Sequence, residues 1–232
     1  MKTCIFTYDF PHEKTYQGLC RMVCEGKIPS HIFAAPRVEL THYQSKIRIA
    51  PQGLKTPSTK LLAKNFDIPY IVVPHNSKEC IEIVRREKIT LGLVLGARIM
   101  SKELIDSFEI GILNLHPGLL PLNRGLDAIK WAVIKDWDQG VTAHLIDGQV
   151  DRGLLICKNR LLIYSDDNLL DIYIRIMRLE YDTLISALDM IAGGVVGYPV
   201  KEYGPYHNSM PPEIEKDLMV TFMNYKLNRA IQ

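Results

Sequence analysis

Charge of one sign is what this sequence most lacks. Its 232 residues carry 28 Lys plus Arg against 26 Asp plus Glu, a formal charge of +2 with no long block of either sign. A surface that attracts polyanions through net charge is therefore not expected, and neither is a nucleic-acid partner. Cysteine is scarce and scattered, at Cys4, Cys20, Cys24, Cys80 and Cys157. An odd set of this kind, with no secretory leader ahead of it, predicts reduced thiols in a cytoplasmic protein. Cys20 and Cys24 stand four apart on a predicted helix, but no histidine or second cysteine pair lies near enough in sequence to complete a zinc site, so no metal is expected. No apolar run approaches the length of a membrane span, and there is neither an internal repeat nor a low-complexity tract. What remains is a chain that is 47% hydrophobic and long enough for one sizeable α/β domain with a small appendage.

Short apolar runs alternate with longer amphipathic stretches. Strands are predicted at 4–8, 31–35, 70–73, 91–95 and 110–115, with helices at 15–25, after Pro57, at 78–88 and at 102–107. That alternation implies a mostly parallel sheet covered on both faces, whose ligands bind at the carboxyl ends of the strands. A helix is predicted at 127–135, then two strand-like runs at 141–146 and 154–163 that pair through the Gly-flanked loop between them. From 166 to 191 the apolar residues recur at helical spacing behind an acidic first turn and stop at Gly193 and Gly194. One further helix is predicted at 213–225. Residues 36–57, with Arg37, Tyr43, Lys46, Arg48 and Lys55, show no periodicity, and a connection that long in a compact domain is expected to be functional or mobile.

The segment "NLHPGLLP" at 114–121 places Asn114 and His116 two apart at the end of a predicted strand, hence on one side of it. Pro117 then holds the preceding backbone extended and fixes the direction of the imidazole. Taken alone, the pair reads equally well as turn residues. A second segment, "VTAHLIDGQVDRGLL" at 141–155, adds Asp147 and Asp151 in the loop between the two later strands.

Together, "GILNLHPGLLPLNRG" and "GVTAHLIDGQVDRGLLI" resemble the catalytic domain of the formyltransferases that use 10-formyltetrahydrofolate. Upstream, "LKTPSTKLLAKNFDIPYIVV" and "LGLVLGARIMSKELID" resemble further segments of that family, so residues 54–157 carry the likeness, the first 53 carry it weakly and the last stretch hardly at all. The resemblance implies a Rossmann-like formyltransferase fold: a mostly parallel sheet flanked by helices, in a catalytic domain at 1–165, with a short helical C-terminal extension at 166–232. It implies a catalytic set of Asn114, His116 and Asp151. An amine attacking a formyl carbon generates an anionic oxygen, to which an Asn amide and a protonated His donate, while a carboxylate keeps the imidazole charged and relays protons. Asp147 is the rival carboxylate, and His144, in a strand pattern, reads as a packed core histidine. Ala97, Arg98 and Ile99, with Gln149 and Val150, are the implied contacts to the folate cofactor.

Within the family the acceptor separates the branches. Enzymes acting on initiator tRNA add a nucleic-acid-binding barrel, for which the helical, weakly charged residues after 163 offer no counterpart. Glycinamide ribonucleotide transformylases begin with a Gly-rich turn that cradles phosphate, whereas "TYDFPHEKTYQG" has no glycine between Thr7 and Tyr16. Formylfolate hydrolases carry a regulatory domain ahead of the catalytic one. The remaining branch formylates an amino-dideoxy sugar carried on a nucleotide diphosphate for surface polysaccharide, and that acceptor is the expectation here, with Arg124, Asp9 and His12 as contacts. Asn123 stands where the family usually has Tyr, and "LDAIKW" replaces a Pro-containing stretch, so the pocket beside Arg124 is expected to differ. A glycinamide ribonucleotide transformylase-like enzyme and a non-catalytic binding module are the alternatives, the helix at 166–191 being a conceivable homodimer surface for the latter.

Overall fold

A computed structural model describes residues 1–38, 45–53 and 55–231. Tyr43, one of the residues noted in the 36–57 connection, lies outside the described residues. In chain order the elements are β1 (Thr3–Tyr8), α1 (Glu13–Cys24), β2 (His31–Ala35), α2 (Thr59–Asn65), β3 (Tyr70–Val72), α3 (Lys78–Arg86), β4 (Leu91–Val94), α4 (Lys102–Ile105) and β5 (Gly111–His116). They continue with β6 (Arg124–Gly125), α5 (Ala128–Ile134), β7 (Gly140–Leu145), β8 (Leu154–Arg160), β9 (Ile163–Tyr164), α6 (Leu169–Ala192), β10 (Tyr198–Pro199), β11 (Tyr206–His207), α7 (Pro212–Glu215), α8 (Leu218–Arg229) and β12 (Ala230–Ile231).

Eight strands form the central sheet in the order β10-β8-β7-β5-β4-β1-β2-β3. β5, β4, β1, β2 and β3 are parallel, and β7, β8 and β10 join antiparallel beyond β5. From β1 the chain winds outward to β2 and β3, then crosses back to β4 and β5, so the switch point of an open α/β sheet lies between β1 and β4, with β5 next to it. The alternation of each strand sorts its residues onto two cores. Ile5, Leu93, Leu113, Leu115, Ala143 and Leu145 face α1 and α6. Phe6, Phe33 and Ile112 face α3 and α4. With period 2, Asn114 and His116 follow Ile112 onto the α3 side, where the polar pair takes over as the hydrophobic face ends.

The helices begin where short polar side chains cap them: Ser58, Ser77 and Ser101 accept from the backbone N–H groups of Leu61, Cys80 and Leu104. Asn168 and Asp171 form a reciprocal capping box at the start of α6. Each cap contributes about 1 kcal/mol. α6, which the sequence division places in the C-terminal extension, buries Leu184, Leu188 and Ile191 in the core against β5 and β7. Its first half packs Ile172 and Ile176 against α5 and α8 in a third cluster. The single helix expected at 213–225 is two helices broken at Lys216–Asp217. The break follows Glu215, which is turned inward to a buried ion pair with Lys130 of α5. No described helix is long and apolar enough to cross a membrane.

Candidate active site

β5 and β7 set the first contact. Their antiparallel register puts Asn114 directly opposite His144 and His116 opposite Thr142. Asn114 Nδ2 lies 3.1 Å from His144 Nε2, and His144 Nδ1 lies 3.0 Å from the Arg152 carbonyl. A carbonyl only accepts, so Nδ1 carries the hydrogen and Nε2 of the neutral ring accepts from the Asn114 amide. The amide is thereby oriented with its second N–H left for a ligand. Burial, then the neighbouring His116 charge, pushes the His144 pKa down to about 4, so the neutral ring persists at neutral pH. His144 is a packed core histidine, as its strand pattern suggests, and it is also the group that orients Asn114. Thr142 donates to the Gly118 carbonyl and accepts from Leu120 N–H, fixing the turn after Pro117.

His116 is buried, with Nε2 2.7 Å from the Asn123 carbonyl and Nδ1 3.3 Å from Asp151 Oδ1. The carbonyl again requires hydrogen on Nε2. A second proton on Nδ1 makes the ring cationic and turns the Asp151 contact into an ion pair. Burial lowers the His116 pKa below the ordinary value, opposed by Asp151 and the Asn123 carbonyl. With both nitrogens engaged, His116 offers charge in this arrangement, and Asn114 offers the N–H.

Asp151 is 9% exposed, and its Oδ2 accepts the Gly125 N–H at 2.7 Å. Its own backbone is left-handed at φ 51, a conformation that costs an L residue about 1 kcal/mol and is held by its surroundings. The flanking Gly153 sits at φ 110, where a Cβ would fall 1.9 Å from the Leu145 carbonyl. Gly125, at φ 98, lets β6 and β11 pair closely, since a Cβ there would meet the His207 carbonyl at 2.0 Å. Asp147, by contrast, is exposed and accepts from Gln149 N–H within its own turn.

Among the remaining sequence-derived residues, Ala97, Arg98 and Ile99 occupy the turn after β4 at the switch point, and Asn76 holds it by donating to the Ile99 carbonyl and accepting from Ser101 N–H. Ile99 is 71% exposed and Val150 39%. Gln149 and Val150 lie on the exposed part of the β7–β8 loop. Exposed apolar side chains beside backbone polar groups suit a flat heteroaromatic ring, so this chemistry fits the folate. Asp9 and His12 stand at the carboxyl end of β1. Asp9 accepts from the Tyr70 hydroxyl, and His12 bonds Thr15 Oγ1 beside Gly96. Arg124, the third candidate acceptor contact, is buried and donates to the carbonyls of Val150 and Gly204. It holds the Asp151 loop. His144 and Tyr203 are the neighbours that sequence reasoning did not assign to the site.

An oriented amide, an imidazole and a carboxylate thus gather at the end of β5 on an open, mostly parallel sheet of Rossmann-like form. The Formyl transferase family model matches residues 56–188, and the chain belongs to that family. It is 36% identical over 113 residues to the methionyl-tRNA formyltransferase of Flavobacterium psychrophilum, a match covering 48% of this chain and 36% of that protein. The chain thus spans less than half the length of the curated relatives it matches. The formyltransferase PseJ of Anoxybacillus kamchatkensis, solved with UDP-4,6-dideoxy-4-formamido-L-AltNAc and tetrahydrofolate, aligns at TM-score 0.56 and 25% identity over 70% of this chain and 87% of that one. Glycinamide ribonucleotide transformylase 1 of Symbiobacterium toebii aligns at TM-score 0.61 and 21% identity, covering 84% and 89%, which is a likeness of fold.

Proposed function

We propose that this chain is an N-formyltransferase that moves a formyl group from 10-formyltetrahydrofolate to the amine of a nucleotide-linked amino-dideoxy sugar destined for surface polysaccharide. The observation that carries the reading is the convergence of Asn114, His116 and Asp151, held by His144 and Gly125. The folate, when bound, supplies the formyl carbon. Asn114 presents an N–H to an oxygen that gains negative charge as the amine attacks, and such a donor contributes about 3 kcal/mol to the rate. His116, when protonated, adds positive charge beside it. Asp151 favours the charged imidazole and is the proton acceptor nearest to it. Ala97, Arg98, Ile99, Gln149 and Val150 would hold the folate.

The sugar acceptor is supported by the PseJ complex, whose bound product is a formamido sugar on UDP, and by the turn between β1 and α1, which has no glycine to bring backbone amides around a phosphate. The identity to methionyl-tRNA formyltransferases favours a second acceptor, an aminoacyl-tRNA. The two separate in one assay. The protein is mixed with 10-formyltetrahydrofolate and nucleotide-linked 3- and 4-aminosugars, glycinamide ribonucleotide or methionyl-tRNA, and each acceptor is weighed for one added formyl group. Formylation of an aminosugar alone is the expected result. Formylation of either other acceptor in its place overturns the reading.

A further inference from the structure

Residues 198–210 lie beyond the family match and run back across both segments that hold Asp151. β10 pairs with β8 just after the Asp151 loop, and β11 pairs with β6, whose Gly125 binds the Asp151 carboxylate. Tyr203 sits between those two pairings. Its hydroxyl donates to the Gly153 carbonyl at 3.0 Å, and the guanidinium carbons of Arg124 and Arg152 lie over its ring at 5.3 and 5.0 Å. Arg124 in turn ties Val150 to Gly204, and Gly204 N–H donates to the Pro121 carbonyl. Three carbonyls around the left-handed Asp151 are therefore pinned: Val150 by Arg124, Arg152 by His144 and Gly153 by Tyr203. Among the described residues, four of the five buried side-chain polar atoms without a protein partner are at Asn123 Oδ1, Arg124 Nε, Arg152 Nε and His207 Nε2, and the fifth is Thr59 Oγ1 on α2.

We propose that Tyr203 is a positioning residue for Asp151, holding the carboxylate against His116 by bonding Gly153 and by supporting Arg124 and Arg152 with its ring. The left-handed Asp151 is flanked by Val150, whose carbonyl is held by Arg124 over the Tyr203 ring, and by Arg152, whose guanidinium lies over the same ring. The inference rests on the role given to Asp151 under the proposed function. The charged and titratable groups around His116 are Asp151 from the β7–β8 loop, Glu180 from α6, Lys14 from α1 and His144 from β7. Of these four, Asp151 is the one the 198–210 segment holds in place.

The test reads His116 directly and needs no acceptor. The full chain is labelled with 15N-histidine, the His116 signal is assigned by its loss in His116→Gln, and its midpoint is followed between pH 5 and 8. Asp151→Asn is expected to move the midpoint to lower pH, because the negative charge favouring the cation is gone. Tyr203→Leu is expected to move it in the same direction by at least half as much, and Tyr203→Phe, which keeps the ring, by less. Leu188→Ala, a cavity in the core on the other face of the sheet from His116, is expected to leave it unchanged despite lowering stability. If Tyr203→Leu keeps the wild-type midpoint while Asp151→Asn shifts it, or if Leu188→Ala shifts it equally, the proposal is overturned. Should Tyr203→Leu fail to fold, an unshifted midpoint in Tyr203→Phe overturns it. A midpoint insensitive to Asp151→Asn removes the role given to Asp151, and the inference with it.

Discussion

The ion pair of Lys130 and Glu215 offers the sharpest test of how the C-terminal helices are attached. Lys130 Nζ lies 2.6 Å from Glu215 Oε1, with both side chains 3% exposed or less. Glu215 also accepts from Ser45 Oγ and, at 2.9 Å, from the backbone N–H of Lys46. Burial alone would raise the Glu215 pKa, but the bonds from Lys130, Ser45 and Lys46 outweigh it and bring the value down to about 2. Against an unfolded value of 4.5, the depressed group binds fewer protons in the native state. Its contribution is therefore complete above pH 4.5 and is lost as pH falls toward 2. The difference corresponds to about 3 kcal/mol at neutral pH and about 1 kcal/mol at pH 3.

Glu215→Gln should accordingly cost about 3 kcal/mol at pH 7 in urea unfolding, with the penalty shrinking to about 1 kcal/mol at pH 3. Lys130→Met should cost about 3 to 5 kcal/mol, because it leaves a buried carboxylate without its cation. The double variant Lys130→Met with Glu215→Leu should recover most of that loss, since an apolar pair of similar volume replaces the ions. A Glu215→Gln penalty below about 0.5 kcal/mol, or one equal at pH 7 and pH 3, would refute the reasoning.

Other expectations follow from the site. Asn114→Ala should lower formyl transfer by about 100- to 1,000-fold with an unfolding midpoint near wild type, and Asp151→Asn should move the alkaline limb of the rate profile to lower pH; unchanged turnover in both would dismiss the assigned set. Stability should fall as pH drops from 6.5 toward 4, because the unfolded chain takes a proton that buried His144 refuses; His144→Phe should remove about 3 kcal/mol of that dependence, and parallel stability curves for the two proteins would contradict it. Gly125→Ala, forced to hold φ 98 against the His207 carbonyl, should lose more than about 1 kcal/mol in thermal unfolding, and a midpoint equal to wild type would argue against the β6–β11 pairing.

Legibility in the sequence followed periodicity. β2 falls on the run His31–Ala35 as expected, β1, β3, β4 and β5 lie within a residue or two of the apolar runs, and α6 fills the long helical pattern up to Gly193. Those elements bury a regular face, so pattern and structure share a cause. The two-residue strands β6, β9, β10, β11 and β12 have no period to show, and their pairing is decided by chain segments far apart in sequence. The contact of Asn114 with His144 was hidden for a related reason: both residues stand in recognisable strands, but only the register makes them opposite. Tyr203 had less signal still, since its partners Arg124, Arg152 and Gly153 are dozens of residues away.

Register also explains why the proposed catalytic set is confined to a few positions. A slip of one residue between β5 and β7 would carry His144 to the face of Leu113 and Leu115, leaving the Asn114 amide without the acceptor that orients it and burying an imidazole among aliphatic side chains. The hydrophobic alternation of Ile112, Leu113 and Leu115 against Ala143 and Leu145 forbids that slip, so the core that stabilises the sheet also aims the amide. Asp151 has no such guarantee. It arrives on a left-handed loop residue and depends on Gly125, on Arg124 and on the returning 198–210 segment. The oriented amide should therefore tolerate much change outside the sheet, while the carboxylate is the part of the site most exposed to substitutions made far away along the chain.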